Sequence, residues 1–428
     1  MTDAASPALA AWLVRVERLH PKTIELGLER LREVAARLSL SLPCTVITVG
    51  GTNGKGSTCA MLESILLAAG YRVALYTSPH LVRFNERARI DGTPVDDAAL
   101  VGQFEAVEAA RGNVALTYFE FTTLAVLRLF QQRAPDVAIL EVGLGGRLDA
   151  VNLVDADCAI VTSIDVDHAE YLGDTRERIG WEKAHIFRAG RPAICSDPLP
   201  PATLVEHARS IGADLWLHGR DFRYTGDRQQ WSYGGRVQRR SGLAWPALRG
   251  ANQLQNAAGV LAALEALRDR LPVAQQAVRL GFAAVELPGR FQVLPGQPTV
   301  ILDVAHNPHA AAHLAVNLDA MGSFRQTFAV FGVMRDKDVD GVIAALANRI
   351  DHWLPVDLPG ARAASAAWIA GRLRAAGVAR ADAQSSIECH ATPSAALAAA
   401  RGRAGGNDRI VVFGSFLTVA DILAARAA

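Results

Sequence analysis

Short runs of β-branched residues alternate with longer helical patterns along most of the chain. Helical periodicity covers 54–69, 96–111, 118–133, 174–189 and 252–269. Between and before these helices, six runs are typical of strands: 44–50, 72–77, 136–142, 157–163, 192–195 and 213–217. Such alternation predicts a parallel sheet whose crossover helices cover both faces. The stretch 219–248 differs, because charged and aromatic residues flank Gly234 and Gly235, and we interpret it as an appended β-hairpin.

The alternation of strand and helix patterns begins again after Leu287, Pro288, Gly289 and Arg290. Strands are predicted over 299–303, 326–331 and 409–413. Helices are predicted over 308–320, 338–349, 363–376, 392–403 and 416–426. We therefore expect two domains, a larger one over 1–290 and a smaller, Rossmann-like α/β domain over 291–428.

Composition excludes several functional classes. The 44 basic and 43 acidic residues nearly cancel, so no broad positive field is available for nucleic acid or an anionic membrane. The five cysteines are scattered and form no C-x-x-C pair, which indicates reduced thiols in the cytoplasm. No apolar run reaches membrane-spanning length, and the N-terminal residues do not read as a signal peptide. We expect a cytoplasmic monomer.

A glycine-rich loop follows the first predicted strand and reads Gly-Gly-Thr-Asn-Gly-Lys-Gly-Ser-Thr over 50–58. It departs from the usual phosphate-loop pattern, because Val49 stands where the first glycine belongs and Gly56 follows Lys55. The loop nevertheless supplies glycines, a helix N-terminus, a lysine and hydroxyls, which together bind phosphate and magnesium. We predict an ATP site formed by Thr52, Asn53, Gly54, Lys55, Gly56, Ser57 and Thr58.

The alternative for this loop is a turn whose glycines only adopt left-handed conformations. Lys55 argues against it, because only four of the 44 basic residues are lysines: Lys22, Lys55, Lys183 and Lys337. In a chain that otherwise uses arginine, a lysine among glycines indicates a need for a primary amine. Lys183 raises the same question within a predicted helix, where the alternative is an exposed residue on an amphipathic surface.

Three further polar motifs follow predicted strands. Ser78 begins a loop that also contains Arg83, Glu141 precedes a glycine-rich segment, and His168 ends the run Thr-Ser-Ile-Asp-Val-Asp-His. Because ligands of open parallel sheets bind outside the carboxyl ends of the strands, we expect these motifs at the edge that carries the ATP loop. Ser57, Ser78 and Glu141 offer oxygen ligands of the kind that Mg²⁺ prefers. Taken alone, Glu141 could be a surface charge and His168 a buried structural histidine.

Together these motifs resemble the folate branch of the Mur ligase superfamily, the dihydrofolate synthase/folylpolyglutamate synthase family. The resemblance covers residues from about 15 to 425 and includes G-T-N-G-K-G-S, G-G-R-L-D-A-x-N, D-x-A-H-N-P and x-x-D-K-D. It implies ATP, two Mg²⁺ sites held by Ser57, Ser78, Glu141, His168 and Lys183, and carbamylation of Lys183 by CO2. Lys55, Glu141, His168 and Lys183 would be catalytic. Further ATP contacts would come from Asn256, Arg290, Asp303 and His306, whereas Asn252, where the family often has histidine, receives no role.

By the same resemblance, the substrates are dihydropteroate, reduced folates and L-glutamate. Thr117, Phe119 and Asp149 match positions that hold the pterin, and Ala150 and Arg83 complete the expected substrate site. The implied reaction forms an acyl phosphate from ATP and then an amide with glutamate, on dihydropteroate first and on reduced folate afterwards. Three alternatives remain: a monofunctional folylpolyglutamate synthase, another Mur-type or cyanophycin synthetase-like ligase, and a nucleotide-binding regulatory module without enzymatic activity.

Overall fold

The computed structural model describes residues 6–22, 24–227, 229–250, 252–378 and 386–427. The chain divides into two compact units. The larger unit extends to Ala247 and resumes for Leu254–Val285. The smaller unit takes Leu248–Gln253 and the chain from Glu286 onwards. A short segment ahead of residue 254 therefore packs with the C-terminal part of the chain rather than with its neighbours in sequence.

The larger unit is built on an eight-stranded sheet with the order β4-β3-β2-β5-β1-β6-β7-β8. Its strands are β1 (Thr45–Gly50), β2 (Val73–Tyr76), β3 (Ala88–Ile90), β4 (Thr93–Pro94), β5 (Val137–Glu141), β6 (Cys158–Val161), β7 (Pro192–Cys195) and β8 (Asp214–Leu217). The six strands from β2 to β8 in this order pair in parallel, whereas β3 and β4 add an antiparallel edge. The central strands are buried on both faces, which explains why their sequences are continuous apolar runs.

Among the described residues, ten helices belong to the part of the chain that forms this sheet. They are α1 (Pro7–Glu17), α2 (Glu29–Arg37), α3 (Lys55–Ala68), α4 (Asp97–Arg111), α5 (Tyr118–Arg133), α6 (Ala169–Leu172), α7 (Arg176–Ala184), α8 (Ala202–Ser210), α9 (Asn252–Ala266) and α10 (Gln275–Ala284). The helix predicted over 174–189 is shorter, because Ile186 and Phe187 donate to carbonyls three residues earlier in turns that follow α7. The predicted hairpin at 219–248 is a three-stranded antiparallel sheet of β9 (Arg223–Gly226), β10 (Gln230–Gly234) and β11 (Arg239–Ala244); its Arg228 lies outside the described residues.

The smaller unit has a six-stranded sheet with the order β12-β13-β17-β14-β15-β16. Its strands are β12 (Gln292–Leu294), β13 (Thr299–Leu302), β14 (Thr327–Phe331), β15 (His352–Pro355), β16 (Ser386–Ile387) and β17 (Arg409–Phe413). Its helices are α11 (Pro308–Ala320), α12 (Val339–Leu346), α13 (Ala366–Ala375), α14 (Pro393–Arg403) and α15 (Phe416–Ala427). All pairs are parallel except that of β12 with β13. The predicted fold class, a parallel-sheet α/β domain and a smaller α/β domain, is confirmed.

Within the described part of the chain, no helix is both long and apolar enough to cross a membrane.

The packing of α10 against α3 generates a stability prediction. A Cβ atom added at Gly281 of α10 would lie 2.5 Å from Cα of Ile65 in α3, so the two backbones would have to separate. We expect Gly281→Ala to lower the free energy of unfolding by about 1–3 kcal/mol, the usual cost of overpacking a core. Urea denaturation followed by circular dichroism measures this difference.

Gly102→Ala is the matched control, because Gly102 lies inside α4 and an added Cβ would meet no atom within 4 Å. This variant should equal or exceed the wild type in stability, since alanine favours helix over glycine by about 1 kcal/mol. Equal stabilities of Gly281→Ala and Gly102→Ala would contradict the packing argument.

Candidate active site

The glycine-rich loop connects β1 to α3 at the carboxyl edge of the larger sheet. β1 ends at Gly50, and α3 begins at Lys55 with Gly54 as its N-terminal cap. Amide groups in the first turn of a helix have no intrahelical acceptor and carry a partial positive charge. The first turn of α3 contains Lys55, Gly56 and Ser57, which were predicted to bind ATP. The local geometry is therefore that of an anion-binding site.

Two glycines of the loop occupy positions that a side chain could not. Gly51 has a φ of +145°, and a Cβ there would overlap the hydroxyl oxygen of Thr162. Gly54 has a φ of +89°, and a Cβ there would lie 2.5 Å from Oδ1 of Asn256. Asn256, predicted from the family resemblance to contact ATP, thus lies against the loop in the fold. Close approach on both sides explains the requirement for glycine.

The segment after β6 holds the loop in place. The backbone amide of Thr52 donates to the carbonyl of Ser163, and the hydroxyl of Thr52 donates to the carbonyl of Asp165 at 3.0 Å. The amide of Asn53 donates to Oγ of Ser163 at 3.2 Å, and the hydroxyl of Thr162 donates to the carbonyl of Asn53 at 2.6 Å. Sequence reasoning assigned no role to Thr162 or Ser163. Both residues begin the run that ends at His168, at the end of a predicted strand, and this position was the sequence feature that could have identified them.

Two lysine side chains converge on one backbone oxygen of the loop. Nζ of Lys55 donates to the carbonyl of Gly51 at 3.1 Å, and Nζ of Lys183 donates to the same carbonyl at 2.9 Å. Lys183 is buried, and its burial together with the nearby charge of Lys55 lowers its pKa to about 7. A buried lysine of this kind is partly neutral near pH 7, and the neutral amine is nucleophilic. The alternative of an exposed Lys183 on a helix surface is therefore wrong.

Glu141 and Ser78 meet at the ends of neighbouring strands. Glu141 is the last residue of β5, and its Oε2 accepts a hydrogen bond from the backbone amide of Ser78 at 3.1 Å. Glu141 and Ser57 are both buried, at 5% and 3% exposure. Thr58, in the same turn as Ser57, is fully buried. A carboxylate that is buried at this edge is more consistent with cation binding than with the alternative that Glu141 is a solvent-exposed surface charge.

His168 follows β6 in a left-handed conformation with a φ of +53°. Its backbone amide donates to the carboxylate of Asp167 at 2.9 Å. Over the described residues, no three histidine, cysteine, aspartate or glutamate side chains form a candidate metal cluster. The predicted Mg²⁺ ligands do not form such a cluster, because two of them are serine hydroxyls and only Glu141 is a carboxylate. The oxygen donors at this edge fit the chemistry of Mg²⁺, which retains several water ligands in its protein sites.

The expected substrate residues lie around α5 and the segment after β5. Thr117 caps α5, and its hydroxyl donates to Glu120 at 2.9 Å. The ring of Phe119 stacks on Tyr76 with centroids 6.2 Å apart. A Cβ at Gly143 would lie 2.6 Å from the Phe119 ring, so glycine is needed where this segment passes the aromatic side chain. Arg83 lies beside this region and forms an ion pair with Asp97 at 3.3 Å.

Asp149 organises the segment that passes Phe119. Its Oδ2 accepts from the amide of Leu144 at 2.8 Å and its Oδ1 from the amide of Val151 at 3.0 Å. Burial raises the pKa of Asp149 to about 6, although the amide hydrogen bonds oppose this shift. The neighbouring Ala150 is buried as well. Asp149 thus has a visible role in holding the backbone, beside the substrate contact predicted for it.

The remaining predicted ATP residues form a group within the smaller unit. Asp303 follows β13, and its carboxylate accepts from the amides of Phe291 at 2.8 Å and Ala305 at 2.7 Å. Burial raises the pKa of Asp303. Nδ1 of His306 donates to the carbonyl of Val304 at 2.9 Å, so Nε2 carries the lone pair when the ring is neutral.

Phe416, the first residue of α15, connects two members of this group. The guanidinium of Arg290 lies over its ring at 5.0 Å, and the ring of His306 lies 6.3 Å from it. The sequence predicted a strand over 409–413 and a helix over 416–426, and it indicated no ligand contact for Phe416. The signal that could have drawn attention to Phe416 was its position directly after β17, at the carboxyl end of a parallel strand.

Comparison with known proteins identifies the family of the chain. Residues 49–197 match the Mur ligase middle domain, and residues 289–416 match the Mur ligase glutamate ligase domain. The dihydrofolate synthase/folylpolyglutamate synthase of Escherichia coli K12 is 46% identical over 98% of this chain and 96% of its own length. The protein of that name from Haemophilus influenzae is 40% identical over 98% of both chains.

Solved structures give the same result. Escherichia coli FolC in complex with DHPP and ADP superposes with a TM-score of 0.92, at 44% identity and full coverage of both chains. A bifunctional folylpolyglutamate synthase/dihydrofolate synthase with Mn, AMPPNP and L-glutamate bound superposes with a TM-score of 0.90, at 43% identity and full coverage. The chain therefore belongs to the dihydrofolate synthase/folylpolyglutamate synthase family of Mur ligases.

Proposed function

We propose that this protein is an ATP-dependent ligase that adds L-glutamate to dihydropteroate, giving dihydrofolate, and to reduced folates, giving folylpolyglutamates. One observation carries the proposal: two lysine amino groups converge on the carbonyl of Gly51, at the sheet edge where Glu141 also lies. A phosphate-binding loop with two amines and a buried carboxylate is suited to phosphoryl transfer. Relatives solved with ADP and DHPP, or with AMPPNP, Mn and L-glutamate, support the choice of substrates.

The first chemical step joins the substrate carboxylate to the γ-phosphorus of ATP. A carboxylate oxygen attacks, the bond to the β–γ bridging oxygen breaks, and ADP leaves. The amides of the first turn of α3 and the ammonium of Lys55 stabilise the charge that develops on the transferred group. Thr162 and Ser163 keep the loop rigid during the transfer, because both hydrogen-bond to Asn53. The product of this step is an acyl phosphate.

The second step forms the amide. The α-amine of glutamate attacks the acyl carbon, inorganic phosphate leaves, and the nitrogen loses a proton. Thr117, Phe119, Asp149, Ala150 and Arg83 bind and orient the pterin-bearing substrate in this proposal. Asn256, Arg290, Asp303 and His306 contact the nucleotide. No side chain of the protein acts as a covalent nucleophile.

Two Mg²⁺ ions accompany ATP in this proposal, and when bound they neutralise phosphate charge and orient the transferred group. Ser57, Ser78, Glu141 and His168 would hold them together with carbamylated Lys183. The buried position of Lys183 and its lowered pKa support carbamylation, because CO2 reacts with a neutral amine and not with an ammonium ion. The resulting carbamate is an anion that would replace a buried cation next to Lys55.

The two functional domains are proposed as 1–290 and 291–428. The family matches at 49–197 and 289–416 support a division of this kind, as does the start of the smaller unit's main segment at Glu286. We further propose that the protein acts as a monomer in the cytoplasm. Its balanced charge, with a formal net charge of +1, supports small-molecule substrates rather than nucleic acid.

A coupled phosphate-release assay tests the activity. With ATP, Mg²⁺ and L-glutamate, we expect phosphate release in the presence of dihydropteroate and, separately, of tetrahydrofolate. Each release should stop when glutamate is omitted, since the amine completes the turnover. Mass spectrometry of the folate product should show the added glutamyl mass. Release with tetrahydrofolate alone would indicate the monofunctional synthase, and release with neither substrate would reject the folate assignment.

Replacement of Lys183 tests the carbamate. Lys183→Arg keeps a positive charge but cannot be carbamylated, so we expect kcat to fall at least about 100-fold, as for loss of a group that stabilises transition-state charge. Protein equilibrated with ¹³C-bicarbonate should show a carbamate signal by ¹³C NMR, and Lys183→Arg should lack it. Lys22→Arg is the matched control, because the Lys22 side chain is 66% exposed and lies outside the site. Normal turnover of Lys183→Arg would exclude the role.

Asp149→Asn separates substrate binding from nucleotide binding. An asparagine amide has only one acceptor oxygen, so one of the amides of Leu144 and Val151 would lose its partner. An unsatisfied buried group costs about 1–3 kcal/mol, and we expect kcat/KM for dihydropteroate to fall about tenfold or more. KM for ATP should stay near the wild-type value. An equal change in both parameters would instead indicate a general loss of the fold, which circular dichroism would reveal.

A further inference from the structure

Helix α11 carries two histidines one turn apart, and their rings are in T-shaped contact. His309 and His313 stand at positions i and i+4, which lie on the same face of a helix. Their Nε2 atoms are 3.3 Å apart. The ring centroids are 4.6 Å apart, and the ring planes are at 87° to each other. Nitrogen atoms of two imidazoles are thus brought together by the helix itself.

The distance between the two nitrogen atoms matches that between neighbouring ligands of a tetrahedral metal ion. Zinc binds histidine nitrogen at about 2.0–2.1 Å, and two ligands at the tetrahedral angle are then about 3.3–3.4 Å apart. The observed separation of 3.3 Å agrees with this value. Both rings are half-buried, which limits their alternative positions.

We propose that His309 and His313 form a binding site for a borderline transition-metal cation such as Zn²⁺, Ni²⁺ or Co²⁺. The two Nε2 atoms are the protein ligands, and water completes the coordination. Imidazole suits these ions, whereas Mg²⁺ prefers oxygen ligands, and both protein ligands here are imidazoles, whereas His168 is the single imidazole among the ligands proposed for Mg²⁺. No third histidine, cysteine or carboxylate joins the pair within the described ranges, which makes it an open, two-ligand site.

Burial and the adjacent His309 lower the pKa of His313, which favours the neutral form of its ring. A neutral imidazole offers a lone pair, and a metal ion would replace the proton that the two nitrogen atoms now share in their contact.

A second histidine pair of the chain provides a structural contrast. His185 and His207 have centroids 3.9 Å apart and planes at 26°, so their faces stack. The contact in this pair is between ring faces, whereas in the α11 pair two ring nitrogen atoms meet. This pair therefore serves as the matched control for any general effect of removing a histidine.

The test uses the full-length protein after removal of bound metal by a chelator. Co²⁺ is titrated in excess Mg²⁺, which occupies oxygen-rich sites, and binding is followed by visible absorption and by isothermal titration calorimetry. We expect one Co²⁺ site in the wild type. His313→Ala should lower the affinity for Co²⁺ at least about tenfold. This is the lower end of the effect of losing a group that supports a metal ligand. His185→Ala should bind Co²⁺ as the wild type does.

Thermal unfolding provides a second measurement. Zn²⁺ should raise the Tm of the wild type, because a ligand that binds only the folded state stabilises it, and should leave the Tm of His313→Ala unchanged. His313→Asn replaces His313→Ala if the latter does not fold. Equal Co²⁺ affinity of the wild type and the His313 variant would overturn the proposal, and so would an equal loss in His185→Ala.

Discussion

The geometry of the candidate active site depends on the backbone at Gly51. This residue has a positive φ, touches the hydroxyl of Thr162 on one side, and presents its carbonyl to the amino groups of Lys55 and Lys183 on the other. A side chain at this position would displace the loop from Thr162 and move the carbonyl away from both lysines. The observed conformation of the loop therefore requires that residue 51 has no Cβ atom.

The strands and helices of the two sheets were predictable where the sequence was periodic. The buried parallel strands, such as β1 and β5, are continuous apolar runs, and their predicted bounds differ from the observed ones by about one residue. Elements without that signal were missed. The antiparallel strands β3 and β4 are only three and two residues long, and β4 is exposed, so no apolar pattern marks them. Similarly, α8 has few buried residues and went unnoticed.

For the site residues, too, the sequence indicated some features and left others open. Glycine, lysine and carboxylate at strand ends pointed to phosphate chemistry before any geometry was available, since each residue type has a restricted use in such loops. The scarcity of lysine marked Lys183, and the fold places it in hydrogen-bonding distance of the loop, 132 residues away in sequence. Asp149 and Asp303 were expected to contact ligands, and both also accept backbone amides that hold their own loops. A carboxylate serves either purpose, and sequence alone does not separate the two.

By itself, the sequence determined the fold class, the glycine-rich loop between strand and helix, and the family motifs, because these depend on local periodicity and on residue types at short spacing. The tertiary structure decided which groups meet across the sheet. Three contacts join residues that are far apart in sequence. Ser163 contacts Asn53, and Lys183 is buried beside Lys55. Phe416 contacts both Arg290 and His306. Such contacts depend on the order and register of parallel strands, which no local pattern encodes.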